Sequence, residues 1–367
     1  MNDAAVVGRV LREYHARGID PAALRRVSGS VHAASVTYLV HPDGAPAWVV
    51  RACREDALVP AHVSGSAAMT MLDWLMSQAS TLGSLEANGY PAPRVIRTRA
   101  GDPVGMDGAW LTLATTFVEG PLIRPSLRQL RMLGAALGRL HALEVAEVAA
   151  HGEAGGPGHG EAGGPGHASW YPEAAIPATL DRLDAVESLV PEDWQSLYAQ
   201  FRSTAQAVQR SLGALPGGVV HGDAWPGNAV QSGPDTVTLI DWETSGLGLP
   251  VLDLGNCLIE SLLDAEPSAS GPEAWLVESD EDRVAAVARG YASQREPRSA
   301  ELALLPEAVR FGSCYAGAIH LYQALAEGVS GTSMDARLER LRNRVAVSEA
   351  VARLAAPHLA GGAETVR

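Results

Sequence analysis

Three oxygen-bearing side chains stand at fixed intervals in the middle of the chain, and their types suit one kind of chemistry. Asp223 is followed five positions later by Asn228, and Asp241 stands thirteen positions beyond Asn228. Phosphoryl transfer from a nucleotide requires one carboxylate that orients the acceptor hydroxyl and oxygen ligands that hold magnesium on the phosphates. The spacing therefore predicts a site for nucleotide-dependent phosphoryl transfer.

Short apolar runs beside these residues predict the elements that position them. A pair of valines favours a buried strand that ends just before Asp223. Strands at 228–230 and 236–240 flank a Ser-Gly-Pro-Asp turn, so a hairpin returns Asp241 to the neighbourhood of Asn228. Each motif alone is equally consistent with a capped turn or a strand end. The joined set favours catalysis, because its Asp-to-Asn interval is that of the protein-kinase catalytic loop.

These motifs and their surroundings resemble the aminoglycoside phosphotransferase and choline kinase-like family, whose fold is similar to that of protein kinases. The resemblance covers most of the chain. The segments that carry it are 219–228 (VVHGDAWPGN), 239–243 (LIDWE), 248–253 (GLPVLD), 133–141 (LGAALGRLH) and 82–93 (LGSLEANGYPAP).

The resemblance implies a role for each central residue. Asp223 is expected to be the catalytic base, and Asn228 and Asp241 are expected to be Mg²⁺ ligands. Asp253 is expected to support the catalytic loop. His141 closes a helix and is expected to be a packed helix-end residue rather than a base.

The resemblance also implies an α+β, bilobal, protein kinase-like fold. A small N-terminal lobe with an antiparallel sheet is expected at 1–114, a hinge at 115–120, and a larger, mainly helical lobe at 121–358. Leucines at helical spacing predict a helix that opens the larger lobe, with the stripe Leu127, Leu130, Leu133, Leu137 and Leu140.

The basic residue expected on the nucleotide phosphates is an arginine. The chain contains no lysine, and Arg51 occupies the place on the third small-lobe strand where the family usually carries a basic residue. The helix residue expected to pair with it is Gln78 instead of Glu, so this contact has no ion-pair component. Two alternatives remain: Asp73 substitutes as the partner, or the nucleotide itself positions Arg51.

Two further segments are expected to contact the nucleotide. The loop that contains Ser30 is expected to fold over the phosphates, although it has a single glycine and also suits a plain hairpin. By the resemblance, the crossover between lobes offers backbone groups of Thr116 and Val118 to the adenine.

Composition limits the partners. The formal net charge is −14, and nucleic-acid binding needs clustered basic residues, so no nucleic-acid partner is expected. An acidic pocket rim would attract a cationic acceptor, although solubility alone also accounts for the charge. The carboxylates after Asp253, including Glu260, are either acceptor ligands or a solvated acidic face.

No signal sequence or membrane span is recognised, and three isolated cysteines suit reduced thiols, so a cytoplasmic location with no membrane partner is expected. Residues 151–167 contain two copies of HGEAGGPG followed by His167 and are expected to form a flexible insertion.

The residues together predict an enzyme that moves the γ-phosphoryl group of ATP or GTP to the hydroxyl of a small molecule. An amino sugar or antibiotic, a choline-like compound and another metabolite all remain open as acceptors. The alternative is a non-catalytic, nucleotide-binding regulatory module of the same fold. Protein kinase activity is disfavoured because no Ala-Pro-Glu element is recognised.

Overall fold

A computed structural model of the chain describes residues 8, 11–14, 24–27, 35–41, 47–57, 70–124, 126–143, 175–262, 278–328 and 332–360. The predicted phosphate loop at Ser30 lies outside these residues. The predicted insertion at 151–167 also lies outside them.

The N-terminal part is a six-stranded antiparallel sheet with the strand order β1-β2-β3-β6-β4, in which β5 also pairs with β6. The strands are β1 (Arg25–Arg26), β2 (Ser35–Val40), β3 (Trp48–Arg54), β4 (Val95–Ile96), β5 (Val104–Asp107) and β6 (Trp110–Thr116). One face, which includes Val50 and Ala52, packs around Tyr14, and the other packs around helix α1 (Met71–Ala87). Since side chains of a strand alternate between faces, Arg51 points to the α1 side with Cys53.

Helix α1 begins at a capping box. Thr70 Oγ1 accepts a hydrogen bond from the Asp73 N–H, and Asp73 Oδ2 accepts one from the Thr70 N–H, each at 3.1 Å. These bonds satisfy two N–H groups at the helix start that lack helical partners. Asp73 is thereby committed to the helix terminus. Trp74, which follows Asp73, and Gln78, one turn after Trp74, are buried beneath the sheet.

The rest of the described chain is mainly helical and holds two small antiparallel pairs. The pairs are β7 (Gly218–Val220) with β10 (Gly246–Gly248), and β8 (Ala229–Gly233) with β9 (Thr236–Leu239). The helices are α2 (Leu127–His141), α3 (Ala175–Val186), α4 (Glu192–Ser211), α5 (Pro250–Glu260), α6 (Glu278–Ala292), α7 (Ser299–Leu325) and α8 (Thr332–Ala360). None of the helices in the described ranges combines the length and apolar character needed to cross a membrane.

The predicted α+β bilobal class is confirmed. The predicted hairpin and the predicted helix that opens the larger lobe are present, and Gln78 lies on a helix as expected. The prediction of the leucine stripe on α2 is wrong for Leu127, which is 48% exposed. The other four leucines of the stripe are buried. Leu127 is the first residue of α2 and lies one turn before the part of this helix that packs against α6.

Helices α2 and α6 meet backbone to backbone through glycines. A Cβ at Gly290 would lie 2.0 Å from the Arg131 carbonyl oxygen, and one at Gly134 would lie 2.1 Å from the Val287 carbonyl oxygen. Each of these distances is far inside van der Waals contact. The close approach holds α2, which carries His141, against the helix that carries Tyr291.

We expect Gly290→Ala to destabilise the protein by about 3 kcal/mol, because the methyl group forces two packed helices apart. Gly83→Ala in α1 is the matched control, since nothing lies within 4 Å of the added Cβ. That substitution should stabilise by about 0.5 kcal/mol through helix propensity. Urea unfolding measures both variants, and equal midpoints would contradict the close-packing account.

Candidate active site

The loop that carries Asp223 leaves β7 at Val220 through a tight turn. Gly222 has φ +81°, a conformation in which side chains are strained, and a Cβ there would lie 2.5 Å from the Thr244 carbonyl oxygen. The Thr244 hydroxyl donates to the His221 carbonyl at 3.0 Å. The glycine therefore lets the loop pack directly against the segment after Asp241.

A buried carboxylate holds this loop from beneath. Asp253, in the first turn of α5, accepts hydrogen bonds from the His221 N–H at 2.7 Å and the Gly222 N–H at 3.1 Å. His141 Nε2 lies 3.1 Å from the same carboxylate. Two backbone donors and an imidazole thus compensate a buried charge. This position suits the supporting role that the resemblance implies for Asp253.

His141 is packed at the end of α2, as expected, but it also belongs to a buried polar chain. Arg295 donates to the Tyr291 hydroxyl at 2.9 Å, and this hydroxyl lies 2.9 Å from His141 Nδ1. Burial lowers the pKa of His141, so the ring is neutral. Tyr291 therefore donates to Nδ1, and Nε2–H donates to Asp253. Glu301, which is buried, forms an ion pair with Arg295 at 2.9 Å and is the last member of this row of hydrogen-bonded side chains.

Asp223 lies half-buried beside Asn228. The Asn228 side-chain Nδ2 donates to Asp223 Oδ2 at 2.7 Å and to the Asp223 carbonyl at 3.1 Å. Burial, followed in order by the negative charges of Glu260, Asp241 and Glu243, raises the pKa of Asp223 to about 8, against the lowering effect of the Asn228 hydrogen bond. The site thus concentrates negative charge, as a site that receives cations should.

The hairpin brings Asp241 to the same place. The Ile240 N–H donates to the Asn228 carbonyl at 2.9 Å, and His221 Nε2 lies 3.0 Å from the Ile240 carbonyl oxygen. Asp241 has φ 63° and is the sole non-glycine residue with positive φ in the described ranges. Its side chain is 42% exposed. Such strained conformations cluster at functional sites.

Arg51, on strand β3, contacts the segment that carries Asp241. Its Nη2 lies 2.8 Å from Asp241 Oδ1, its Nη1 lies 2.7 Å from Glu243 Oε2, and Nη1 also donates to Gln78 Oε1 at 3.3 Å. Asp73 caps α1, which rules against the alternative in which it substitutes as the partner of Arg51. The protein itself, rather than a nucleotide alone, positions Arg51. Its acidic partners come from the segment after β9 rather than from α1.

Trp74 joins these groups. Its indole Nε1 donates to the Glu243 carbonyl at 3.0 Å, and the Arg51 guanidinium lies 5.6 Å from the centre of its ring. The sequence argument missed both Trp74 and Glu243 as members of the site. The signal for Glu243 was its place two residues after Asp241 in Asp-Trp-Glu. No comparable local signal marks Trp74.

The oxygen atoms that could hold a divalent cation are available. The Asn228 amide nitrogen is directed at Asp223, so its oxygen is free of hydrogen bonds to other described residues. Asp241 supplies a carboxylate. The described residues contain no group of three or more His, Cys, Asp and Glu that could hold a metal. Two protein ligands suit Mg²⁺, which usually completes its shell with phosphates and water.

At the predicted crossover, β6 ends at Thr116 and the chain continues without regular structure through Val118. The Thr116 N–H donates to the Arg94 carbonyl and the Phe117 N–H donates to the Ala47 carbonyl, each at 2.9 Å. The Thr116 N–H is therefore already used within the protein and is not available to a ligand.

The fold and sequence have known relatives. The homoserine kinase of Methylobacterium radiotolerans is 26% identical over 243 residues, which are 60% of this chain and 61% of the relative. The chain thus spans about 61% of the length of this curated relative.

Two solved structures are similar along nearly the whole chain. One is the amicoumacin kinase hAmiN in complex with AMP-PNP, Ca²⁺ and Ami, at TM-score 0.65 and 15% identity, with 94% of this chain and 93% of that chain covered. The other is a microcompartment-associated aminopropanol kinase, at TM-score 0.62 and 21% identity, with 95% and 97% covered. At these identities the likeness concerns the fold alone.

The family model described as "Phosphotransferase enzyme family" matches residues 24–302, which include the sheet, the crossover, the loop that carries Asp223 and the hairpin. This match covers most of the chain and confirms the resemblance inferred from its motifs. The chain belongs to the phosphotransferase enzyme family.

Proposed function

We propose that the protein is a Mg²⁺-dependent small-molecule kinase that moves the γ-phosphoryl group of ATP or GTP to an acceptor hydroxyl. The observation that carries the proposal is the convergence of Asp223, Asn228 and Asp241 with Arg51 from the sheet. Family membership and relatives named as kinases support it. No nucleic-acid partner is proposed, and the location is proposed to be cytoplasmic.

Asp223 is the proposed catalytic base. It accepts a hydrogen bond from the acceptor hydroxyl and takes its proton late, since a loose transition state demands little activation of the nucleophile. The Asp253 network fixes the loop, so the carboxylate is oriented before the acceptor arrives. Catalysis at such a site is mostly positioning and electrostatic stabilisation.

Asn228 and Asp241 are the proposed Mg²⁺ ligands, through the free amide oxygen and the exposed carboxylate. Mg²⁺ supplies neutralisation of charge on the phosphate oxygens. Arg51 is proposed to bind the phosphates, and its planar fork can grip two oxygens at once, unlike a lysine. Ser30 is proposed to cover the phosphates. The Thr116 carbonyl and the Val118 N–H are proposed to bind the base.

Glu243 is proposed to hold Arg51 in position. We expect Glu243→Gln to weaken nucleotide binding about 10-fold, because the ion pair with Arg51 becomes a hydrogen bond from the guanidinium to a neutral amide oxygen. Adding Gln78→Glu should restore most of the affinity, since Gln78 already contacts Arg51. Titration calorimetry with ATP and Mg²⁺ measures both variants. Unchanged affinity in Glu243→Gln, or no recovery in the double variant, would argue against this role.

The acceptor is proposed to be a small molecule with a hydroxyl group. Relatives are named for homoserine, amicoumacin and aminopropanol. The test is the release of ADP or GDP with Mg²⁺ across a panel of hydroxyl compounds. Release that depends on one acceptor supports the kinase.

A non-catalytic regulatory module is the second candidate, and Gln78 in place of the helix glutamate favours it. Nucleotide binding with no acceptor-dependent release across the panel would favour this candidate.

A further inference from the structure

The position of the loop that carries Asp223 depends on the orientation of one carboxylate. Asp253 accepts the His221 N–H on Oδ2 and the Gly222 N–H on Oδ1, so both of its oxygens are used. Gly222 directly precedes Asp223 in the sequence. A rotation of this carboxylate would break one of these bonds and shift the peptide bond before Asp223. Any group that orients Asp253 therefore also orients Asp223.

A row of four side chains continues behind this carboxylate, away from the loop. Its members are His141 at the end of α2, Tyr291 on α6, Arg295 after α6, and Glu301 in the first turn of α7. All of them are withdrawn from water, and the most exposed side chain is that of Arg295, at 14%. Since solvent hardly reaches the row, each polar atom in it depends on its neighbour in the row.

The direction of the hydrogen bonds in this row follows from its guanidinium. Such a group has donors and no acceptor, and Arg295 Nη1 donates to the Tyr291 hydroxyl at 2.9 Å. The one hydrogen of that hydroxyl is left for its other partner, His141 Nδ1, at 2.9 Å. Because Nδ1 accepts, the neutral ring carries its hydrogen on Nε2, which faces Asp253. Arg295 thus determines, through Tyr291, which ring nitrogen donates to the carboxylate.

Glu301 fixes the far end of the row. Its two oxygens lie 2.9 and 3.0 Å from Arg295 Nη2, and Oε2 also accepts the Arg298 N–H at 2.9 Å at the start of α7. If Arg295 turned away from Tyr291, this buried carboxylate would lose its counter-charge, which is strongly unfavourable. The row is therefore attached at one end to the start of α7 and at the other end to the loop.

We propose that Tyr291 is a positioning residue for phosphoryl transfer and that Arg295 orients its hydroxyl for this role. Tyr291 holds the ring of His141, and the ring holds the Asp253 carboxylate. The carboxylate in turn holds the peptide bond before Asp223. This inference rests on the proposed kinase function and adds two residues that act on the loop through others.

Tyr291→Phe keeps the ring and removes the hydroxyl. We expect kcat to fall about 10-fold, because the loss of one hydrogen bond loosens the support of Asp223. The dissociation constant for ATP with Mg²⁺ should change by less than about 2-fold. Steady-state kinetics and titration calorimetry on the full-length protein measure the two quantities. An unchanged kcat, or a loss of ATP affinity as large as the loss of kcat, would overturn the proposal.

Helix α4 supplies a matched control with the same arrangement of residue types. Tyr198 is buried, and its hydroxyl accepts from Arg202, four positions later, at 3.5 Å. Tyr291 and Arg295 have the same spacing, and Arg202 likewise pairs with a glutamate, Glu187. This second group ends in ion pairs at the protein surface rather than at the histidine of α2. Tyr198→Phe should keep kcat within about 2-fold, and a loss equal to that in Tyr291→Phe would overturn the proposal.

Amide hydrogen exchange tests the positioning role without any turnover. The His221 and Gly222 amides donate to Asp253, so we expect both to exchange about 10-fold faster in Tyr291→Phe and at the wild-type rate in Tyr198→Phe. NMR of the labelled proteins, without nucleotide or acceptor, resolves these amides. Unchanged exchange in Tyr291→Phe would overturn the proposal. Faster exchange in a protein that phosphorylates no acceptor would support the positioning row and contradict the kinase.

The hydrogen on the His141 ring gives a test that needs no variant and so does not depend on whether Tyr291→Phe folds. ¹⁵N chemical shifts of histidine distinguish a protonated ring nitrogen from one that accepts a hydrogen bond. In the wild-type protein at neutral pH we expect hydrogen on Nε2 and an accepting Nδ1. Hydrogen on Nδ1 would overturn the direction of the row and, with it, the roles of Tyr291 and Arg295.

Discussion

Asp223→Asn is expected to lower kcat about 1,000-fold, because removal of a positioned general base typically costs two to four orders of magnitude. The amide keeps the size of the side chain but cannot take the acceptor proton. Asn228 donates to Asp223 Oδ2 and can donate equally to an amide oxygen, so the loop should keep its conformation. Steady-state kinetics with the best acceptor of the panel measure the loss.

The affinity for nucleotide separates catalysis from binding in this variant. Since Asp223 is not a proposed metal ligand, the dissociation constant for ATP with Mg²⁺ should change by less than about 3-fold. Asp235→Asn, at an exposed site on the hairpin turn, is the matched control and should retain full turnover. Weak nucleotide binding with normal kcat in Asp223→Asn would contradict the assigned role.

Asp241→Asn is expected to weaken Mg²⁺-dependent binding of ATP about 100-fold. The substitution removes a charge from the proposed metal site and from the contact with Arg51. Asparagine is preferable to alanine here, because it tolerates the left-handed backbone conformation that Asp241 adopts. Calorimetric titration of ATP against both proteins, at several Mg²⁺ concentrations, measures the effect.

The weak binding of ATP without Mg²⁺ provides the internal control, since it should differ far less between the two proteins. Thermal unfolding of the variant should remain within a few degrees of the wild type, as Asp241 is partly exposed. If Asp241→Asn keeps the wild-type Mg²⁺ dependence, Asp241 is not a ligand and the role passes to another carboxylate.

Local spacing was enough to predict the hairpin and the placement of its ends. The turn between β8 and β9 and the apolar pattern of their residues determine the register, and the register brings Asp241 to Asn228. The α+β class followed from the motif resemblance. Both inferences rest on short-range patterns that a sequence displays directly.

The contacts of Arg51 could not be predicted in the same way. Gln78 was expected from the family spacing and does touch Arg51, but Glu243 lies 192 positions away in sequence, and only the packing of the sheet onto the hairpin brings it near. Asp73 had the right charge and lay close in sequence. It was unsuitable because the Thr70 hydroxyl uses it in the helix cap.

The partners of buried polar groups could not be predicted from the sequence either. His141 was expected to be packed, yet nothing in its helix indicated Asp253 or Tyr291 as partners, since these residues belong to α5 and α6. Glu260 was one carboxylate among several candidates. Its pairing with Arg344 depends on how α8 packs beside α5, and no periodicity in either helix encodes that contact.

The central claim is the transfer of a phosphoryl group to a hydroxyl, and the fate of the γ-phosphate tests it most directly. ATP labelled at the γ-phosphate is incubated with Mg²⁺, the wild-type protein and the hydroxyl compounds of the acceptor panel, and the label is followed by chromatography. We predict that the label enters a phosphate monoester of the acceptor in equal amount to the ADP formed, and that Asp223→Asn abolishes this transfer. Label that stays in ATP although the nucleotide binds, or that enters inorganic phosphate alone, would contradict the account.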